Sequence, residues 1–148
     1  MLTIMLKVLI DTNVLVSASI AKGSSYKILK EIIIEKELAF VCYSEAILEE
    51  YQKVATYKRI QQKYPIYFEA INIYLSKIKK AGKLFIPSIH FNVISTDFSD
   101  NIFLDAAYEA NADYIITGNH NDFSITEFKG TKIISPKMFY ELYQQNKL

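Results

Sequence analysis

Short apolar runs rich in β-branched residues alternate along this chain with longer stretches of helical periodicity, and that alternation leaves few folds open. Leu6 to Ile10, Leu38 to Tyr43, Leu84-Phe85-Ile86, Tyr114-Ile115-Ile116 and Lys132-Ile133-Ile134 read as strands. They lack a polar alternate face, so they suit strands covered on both sides. Between them, residues 24–37, 45–55, 57–81, 100–111 and 136–144 read as helices. Ser44 is placed to cap the second, Pro65 breaks the third in two, and Asp100 or Ser99 caps the fourth. Strand–helix alternation of this kind predicts an α/β protein, a three-layer α/β/α sandwich around a central parallel sheet. The 148 residues suit one domain with its own core, and no repeat or linker divides residues 1–148.

Composition narrows the class. Half the residues are hydrophobic, which excludes a disordered tail, and the four Gly residues are too scattered for a phosphate-cradling loop. Cys42 has no partner for an internal disulfide and sits in the apolar run Ala39-Phe40-Val41-Cys42, so it reads as a small core residue. The apolar start is too short for a spanning helix and lacks a cleavage pattern, so the expectation is a cytoplasmic protein without membrane contact. Charge is uneven. Between Tyr51 and Thr96 eight Lys/Arg face one acid, Glu69, giving that segment +7 against −6 for the remainder. Such a split suits a polyanion on one face and a cation on another, although a solvated lysine-rich helix surface gives the same pattern.

Candidate chemistry gathers where the strands end. In parallel sheets ligands bind at the carboxyl ends of strands. Asp11 follows the first strand directly, with Thr12 and Asn13 able to hydrogen-bond a carboxylate or fix the turn. The plain alternative is an Asp that only caps the next segment. Asn13 stands where a phosphoaspartate phosphatase needs a second Asp, and the acidic pair of a phospho-receiver is missing. In the second helix Ile47, Leu48, Tyr51, Val54 and Ala55 form the apolar face. Glu50 lies roughly 100° from the centre of that face and Glu49 roughly 160°, so Glu50 is the one able to turn into a cleft. Asp100 opens the fourth helix, where the helix dipole alone favours an acid. Asp105 shares a face with Asn101 and Glu109, either solvated or lining a cleft. After the strand at 114–116 come Thr117, Gly118, Asn119 and His120, the first and third offering oxygen ligands, the last a proton donor or phosphate contact.

Taken in order, these elements resemble the PIN domain, a nuclease family of α/β/α fold. The resemblance runs from Val8 to Pro136 and is nearest the VapC-type toxin branch. It rests on the Ile10-Asp11-Thr12-Asn13 opening, the Ser44-Glu45…Glu50 helix, the Asp100-Asn101…Asp105-Ala106-Ala107 helix and the Ala112-to-Gly118 strand. The resemblance implies a metal-dependent endoribonuclease, the toxin of a toxin–antitoxin pair. Asp11, Glu50, Asp100 and Asp105 would be catalytic and metal-binding, and Thr12, Asn13, Thr117 and Asn119 supporting. It implies Mg2+ or Mn2+ as cofactor, RNA as substrate, a cognate antitoxin as partner, and a homodimer. Hard cations held by oxygen ligands are what phosphodiester hydrolysis requires. Asn119 departs from the pattern, because many PIN domains carry a fourth Asp there. That departure leaves the number of metals open and favours the alternative, a non-catalytic PIN-like module that binds RNA or protein. The basic segment would track the RNA backbone. Tyr57, Tyr64 or Tyr67 would stack on unpaired bases, although packing between helices is the better-favoured reading of them.

Overall fold

The computed structural model describes residues 4–93, 100–118 and 126–148. Six strands form one sheet: β1 (Leu6–Ile10), β2 (Ala39–Tyr43), β3 (Lys83–Leu84), β4 (Tyr114–Ile116), β5 (Glu127–Phe128) and β6 (Thr131–Ile134). Their order is β3-β2-β1-β4-β6-β5. All neighbours are parallel except β5 and β6, which form an antiparallel hairpin. The hairpin turns on Lys129 and Gly130, both with positive φ (48° and 90°). A two-residue turn of that hand matches the twist of its strands and favours glycine. This antiparallel edge departs from the wholly parallel sheet expected, because a two-residue strand leaves no periodic signal.

Helices flank the sheet: α1 (Thr12–Ile20), α2 (Ser24–Lys27), α3 (Glu45–Ala55), α4 (Lys58–Lys63), α5 (Tyr67–Ala81), α6 (Asn101–Ala110) and α7 (Pro136–Gln144). The cap expected at Ser44 forms, and Ser135 makes a second of the same kind. Ser44 accepts from the Ile47 amide and Ser135 from the Met138 amide, each at 3.2 Å, with Pro136 opening α7. Pro65 falls between α4 and α5. Asn111 ends α6 in the left-handed conformation (φ 51°).

Two stretches differ from expectation. Residues 12–20 carried no helical pattern, yet form α1; Val14, Leu15 and Ala18 are all buried, so no polar face marks it. Past α2 the chain winds as a π-helix over Ile28–Glu35, closed by the Lys36 amide on the Glu31 carbonyl at 2.9 Å.

The core runs along both sides of β1 and β2, with Val8, Leu9, Ile10, Val41 and Cys42 essentially inaccessible. Burial pushes the Cys42 thiol up to about 12, as befits a core residue rather than a reactive one. Gly82, after α5, sits where a Cβ would meet the Val41 and Ile78 carbonyls at 2.5 and 2.6 Å, which is why helix and strand approach so closely there. Among the described residues, no helix is long and apolar enough to cross a membrane.

Candidate active site

The strand order reverses direction between β1 and β4, since β1 leads outward to β2 and β3 while β4 leads to β6. A crevice opens at the carboxyl ends of strands at such a point. Asp11 leaves β1 there and Thr117 leaves β4. The Asp11 amide donates to the Ile116 carbonyl at 2.9 Å, and the Thr117 hydroxyl donates to Asp11 Oδ2 at 2.7 Å. Both residues are buried, Asp11 only 4% exposed. Asp11 occupies the cap position of α1, but its side chain makes no capping hydrogen bond. The capping alternative therefore fails. The carboxylate is turned toward β4 instead.

Thr12, one residue on, is buried, and its hydroxyl is the one buried side-chain N or O among the described residues without a hydrogen-bond partner. Asn13 is exposed. Tyr51 pins α3 to the same edge: its hydroxyl, fully buried, donates to the Ile10 carbonyl. Burial, and secondly the negative charge of Asp11, raise the Tyr51 phenol well above its ordinary range, so it remains a donor. Glu50 precedes this anchor and is half-buried, whereas Glu49 is exposed, in keeping with the helical angles.

α6 packs on β1, β2 and β4 and touches α3. The Lys7 ammonium, near the start of β1, donates to the Ala110 carbonyl at the end of α6 at 3.1 Å. The helix thus runs back against the strands, and its start brings Asp100, half-buried, to the carboxyl edge. Asp100 makes no side-chain cap to α6, contrary to the capping expectation. Ser99, the other candidate cap, lies outside the described residues, as do Asn119 and His120.

Asp105 has different company. Its Oδ1 accepts from the Phe91 amide at 2.6 Å and its Oδ2 lies 3.0 Å from His90 Nδ1. It is 6% exposed, which rules out the solvated reading. One turn to either side, Asn101 accepts from the Val93 amide at 3.1 Å, and Glu109 accepts from the Ser88 amide and hydroxyl at 2.9 and 3.0 Å. The polar strip Asn101, Asp105, Glu109 thus laces residues 88–93 to α6. No spacing in the sequence pointed to His90 or to this lacing.

Among the described residues, no three His, Cys, Asp or Glu side chains are grouped closely enough to hold a metal ion. Asp11, Glu50 and Asp100 share an edge rather than a ready-made cluster. The carboxylates of that edge are oxygen donors, which suit a hard divalent cation. All eight basic side chains of the segment 51–96 are exposed. Tyr67 is not available for stacking. It is buried, and its hydroxyl donates to the Val54 carbonyl at 2.9 Å. Tyr57 is 42% exposed.

These features define a class: a mostly parallel α/β sheet with a buried carboxylate at the reversal of strand order and further acids on helices reaching the same edge. The family model for the PIN domain matches residues 7–121, and the chain belongs to the PIN-domain family. That span includes every acidic, Thr and Asn candidate named above. No curated protein and no solved structure gives a significant match. PIN domains are generally nucleases that use divalent metal ions, so family membership points to hydrolysis of this type.

Proposed function

We propose that this chain is a metal-dependent endoribonuclease, cutting RNA phosphodiester bonds at the edge around Asp11, and that it serves as the toxin of a toxin–antitoxin pair. The observation that carries the reading is Asp11. It is a buried carboxylate at the reversal of strand order that does not cap α1 and is oriented by Thr117, and its neighbour in sequence, Thr12, carries a buried hydroxyl without a partner. A carboxylate held in that way is set for a ligand rather than for a helix end.

Asp11, Glu50 and Asp100 would hold the cation, Mg2+ or Mn2+. When bound, such a cation supplies charge neutralisation at the phosphoryl oxygens and a water of lowered pKa. Thr117 fixes the rotamer of Asp11, and Thr12 offers a further oxygen beside it. Tyr51 keeps α3 seated, so that Glu50 can orient the attacking water. Asp105 spends both oxygens on residues 88–93. Its part is to hold that segment and, through α6, to steady Asp100, with a second-metal role reserved for an oxygen that still has a free lone pair. Asn13 and Asn119 are the remaining supporting residues of this reading. The exposed lysines of α4 and α5 would track the RNA backbone.

Asp11→Asn keeps the shape and still accepts from Thr117. It should leave the fold intact and abolish Mn2+-stimulated cleavage of a labelled RNA. Full activity in that variant, purified free of other nucleases, would overturn the reading. The second reading, a non-catalytic RNA- or protein-binding module, is favoured by Asn119 in place of an acid. It expects RNA retention without cleavage at millimolar Mn2+. The toxin role expects growth arrest on expression, relieved by the product of an adjoining short reading frame. A cytoplasmic homodimer is the form we infer for it.

A further inference from the structure

A cavity of about 310 Å³ opens beside the candidate active site, between the start of α3, the segment after β3 and the first turns of α6. Phe85, Ile86 and Ile102 are among its apolar walls, and Ser44, Glu45 and His90 supply polar lining with Asp105 behind. Its place relative to the acids follows from the elements. Glu45 precedes Glu50 by five residues on α3, about 7.5 Å along the helix axis. Ile102 follows Asp100 by two residues on α6.

The carboxylate of Glu45, exposed in the first turn of α3, gives the cavity an acceptor with two oxygens. Set in a cavity lined by Phe85 and aliphatic side chains, it calls for a planar ligand whose polar edge carries adjacent donors. Guanine has that edge, an imino N–H beside an amino group, matching the two oxygens of one carboxylate. Uracil offers one N–H between two carbonyls, which would face Glu45 with like partial charge. Adenine and cytosine each offer a single amino group.

We propose that this cavity is a base-reading subsite that takes a guanine of the RNA strand next to the bond being cut, with Glu45 as the reading residue. This rests on the nuclease reading above, but its test does not. The full chain, isotope-labelled, is titrated with guanosine 5′-monophosphate and with uridine 5′-monophosphate, without metal. The guanosine nucleotide should shift the amides of Glu45, Ala46 and Ile86 and bind roughly tenfold more tightly, the discrimination of one bidentate pair. Glu45→Gln, on an exposed position that the fold tolerates, should bring the two nucleotides within about threefold of each other. Equal affinities in the wild-type chain, or shifts confined to another surface, overturn the subsite. Cleavage mapping with Mn2+ separates the two claims. Cuts without any guanine bias overturn the subsite and leave the nuclease standing. Guanosine binding at these amides in a chain that cuts nothing supports the subsite and overturns the nuclease.

Discussion

The hydroxyl of Thr12 allows stability and activity to be pulled in opposite directions by one substitution. Thr12 is buried at the first position of α1, and its Oγ1 has no partner. A buried hydroxyl in that condition costs roughly 1–3 kcal/mol. Valine keeps the branching at Cβ and has a similar helix propensity, so Thr12→Val removes the cost and little else. In chelator, the variant should gain about 1–2 kcal/mol over the wild type. For a chain of 148 residues, that is a rise in melting temperature of roughly 2–8 °C. A urea titration should show the midpoint moving up at unchanged slope. Activity should move the other way. The hydroxyl lies next to Asp11 in sequence, and losing an oxygen there should lower Mn2+-supported cleavage about tenfold, equivalent to roughly 1.4 kcal/mol of barrier. A lower urea midpoint in chelator would refute the first half, since it would mean the hydroxyl is satisfied in the folded chain. A more stable variant that cuts as well as the wild type would remove Thr12 from the site.

Other substitutions test neighbouring claims. Glu50→Gln should reduce cleavage far more than Glu49→Gln, because only Glu50 is turned partly inward; kcat on one RNA for both variants decides it, and the reverse ranking overturns the helical-face assignment. Gly82→Ala should lose about 1–3 kcal/mol in urea unfolding, since the new methyl meets two carbonyls at 2.5 and 2.6 Å. Alkali should weaken the fold. Cys42 and Tyr67 are both raised to about 12, from 9.0 and 10.0, so the folded chain keeps protons that the unfolded chain releases. Their contribution is full below about pH 9 and is lost as pH climbs toward 12, at about 1.4 kcal/mol per unit for Cys42 alone. Cys42→Ala should flatten the first unit of that fall in a series of urea titrations.

Much of the architecture was readable because it rests on local signals. Buried β-branched runs gave β1, β2, β4 and β6, and a serine cap gave the start of α3. What escaped was structure with no local mark. α1 has apolar residues all round, the π-winding of Ile28–Glu35 keeps an ordinary helical composition, and β5 is two residues long. The candidate site divides along the same line. An Asp directly after a buried strand was visible, and the lower exposure of Glu50 than of Glu49 followed from helical angle. The hydroxyl of Thr117 on Asp11 spans 106 residues, and that of Tyr51 on Ile10 spans 41. Such partnerships are set by the order of strands in the sheet, which no local periodicity encodes. Asp105 shows the limit best: its strip was noticed, but that the strip fastens residues 88–93 appears only once β3 and α6 are side by side.

That fastening makes α6 a shared lever. One rigid helix carries Asp100 at its start and, down one side, the three hydrogen-bonding rungs that hold residues 88–93, including the His90 that borders the cavity. A force on Asp100 is therefore a force on the cavity wall, and the reverse holds equally. Thermodynamic linkage then fixes a relation between the two ends: whatever factor a cation at Asp100 lends to base affinity, a bound base lends back to the cation. On the proposed reading the expected outcome is heterotropic linkage within a single chain, measurable as a cation titration whose midpoint shifts when nucleotide is present.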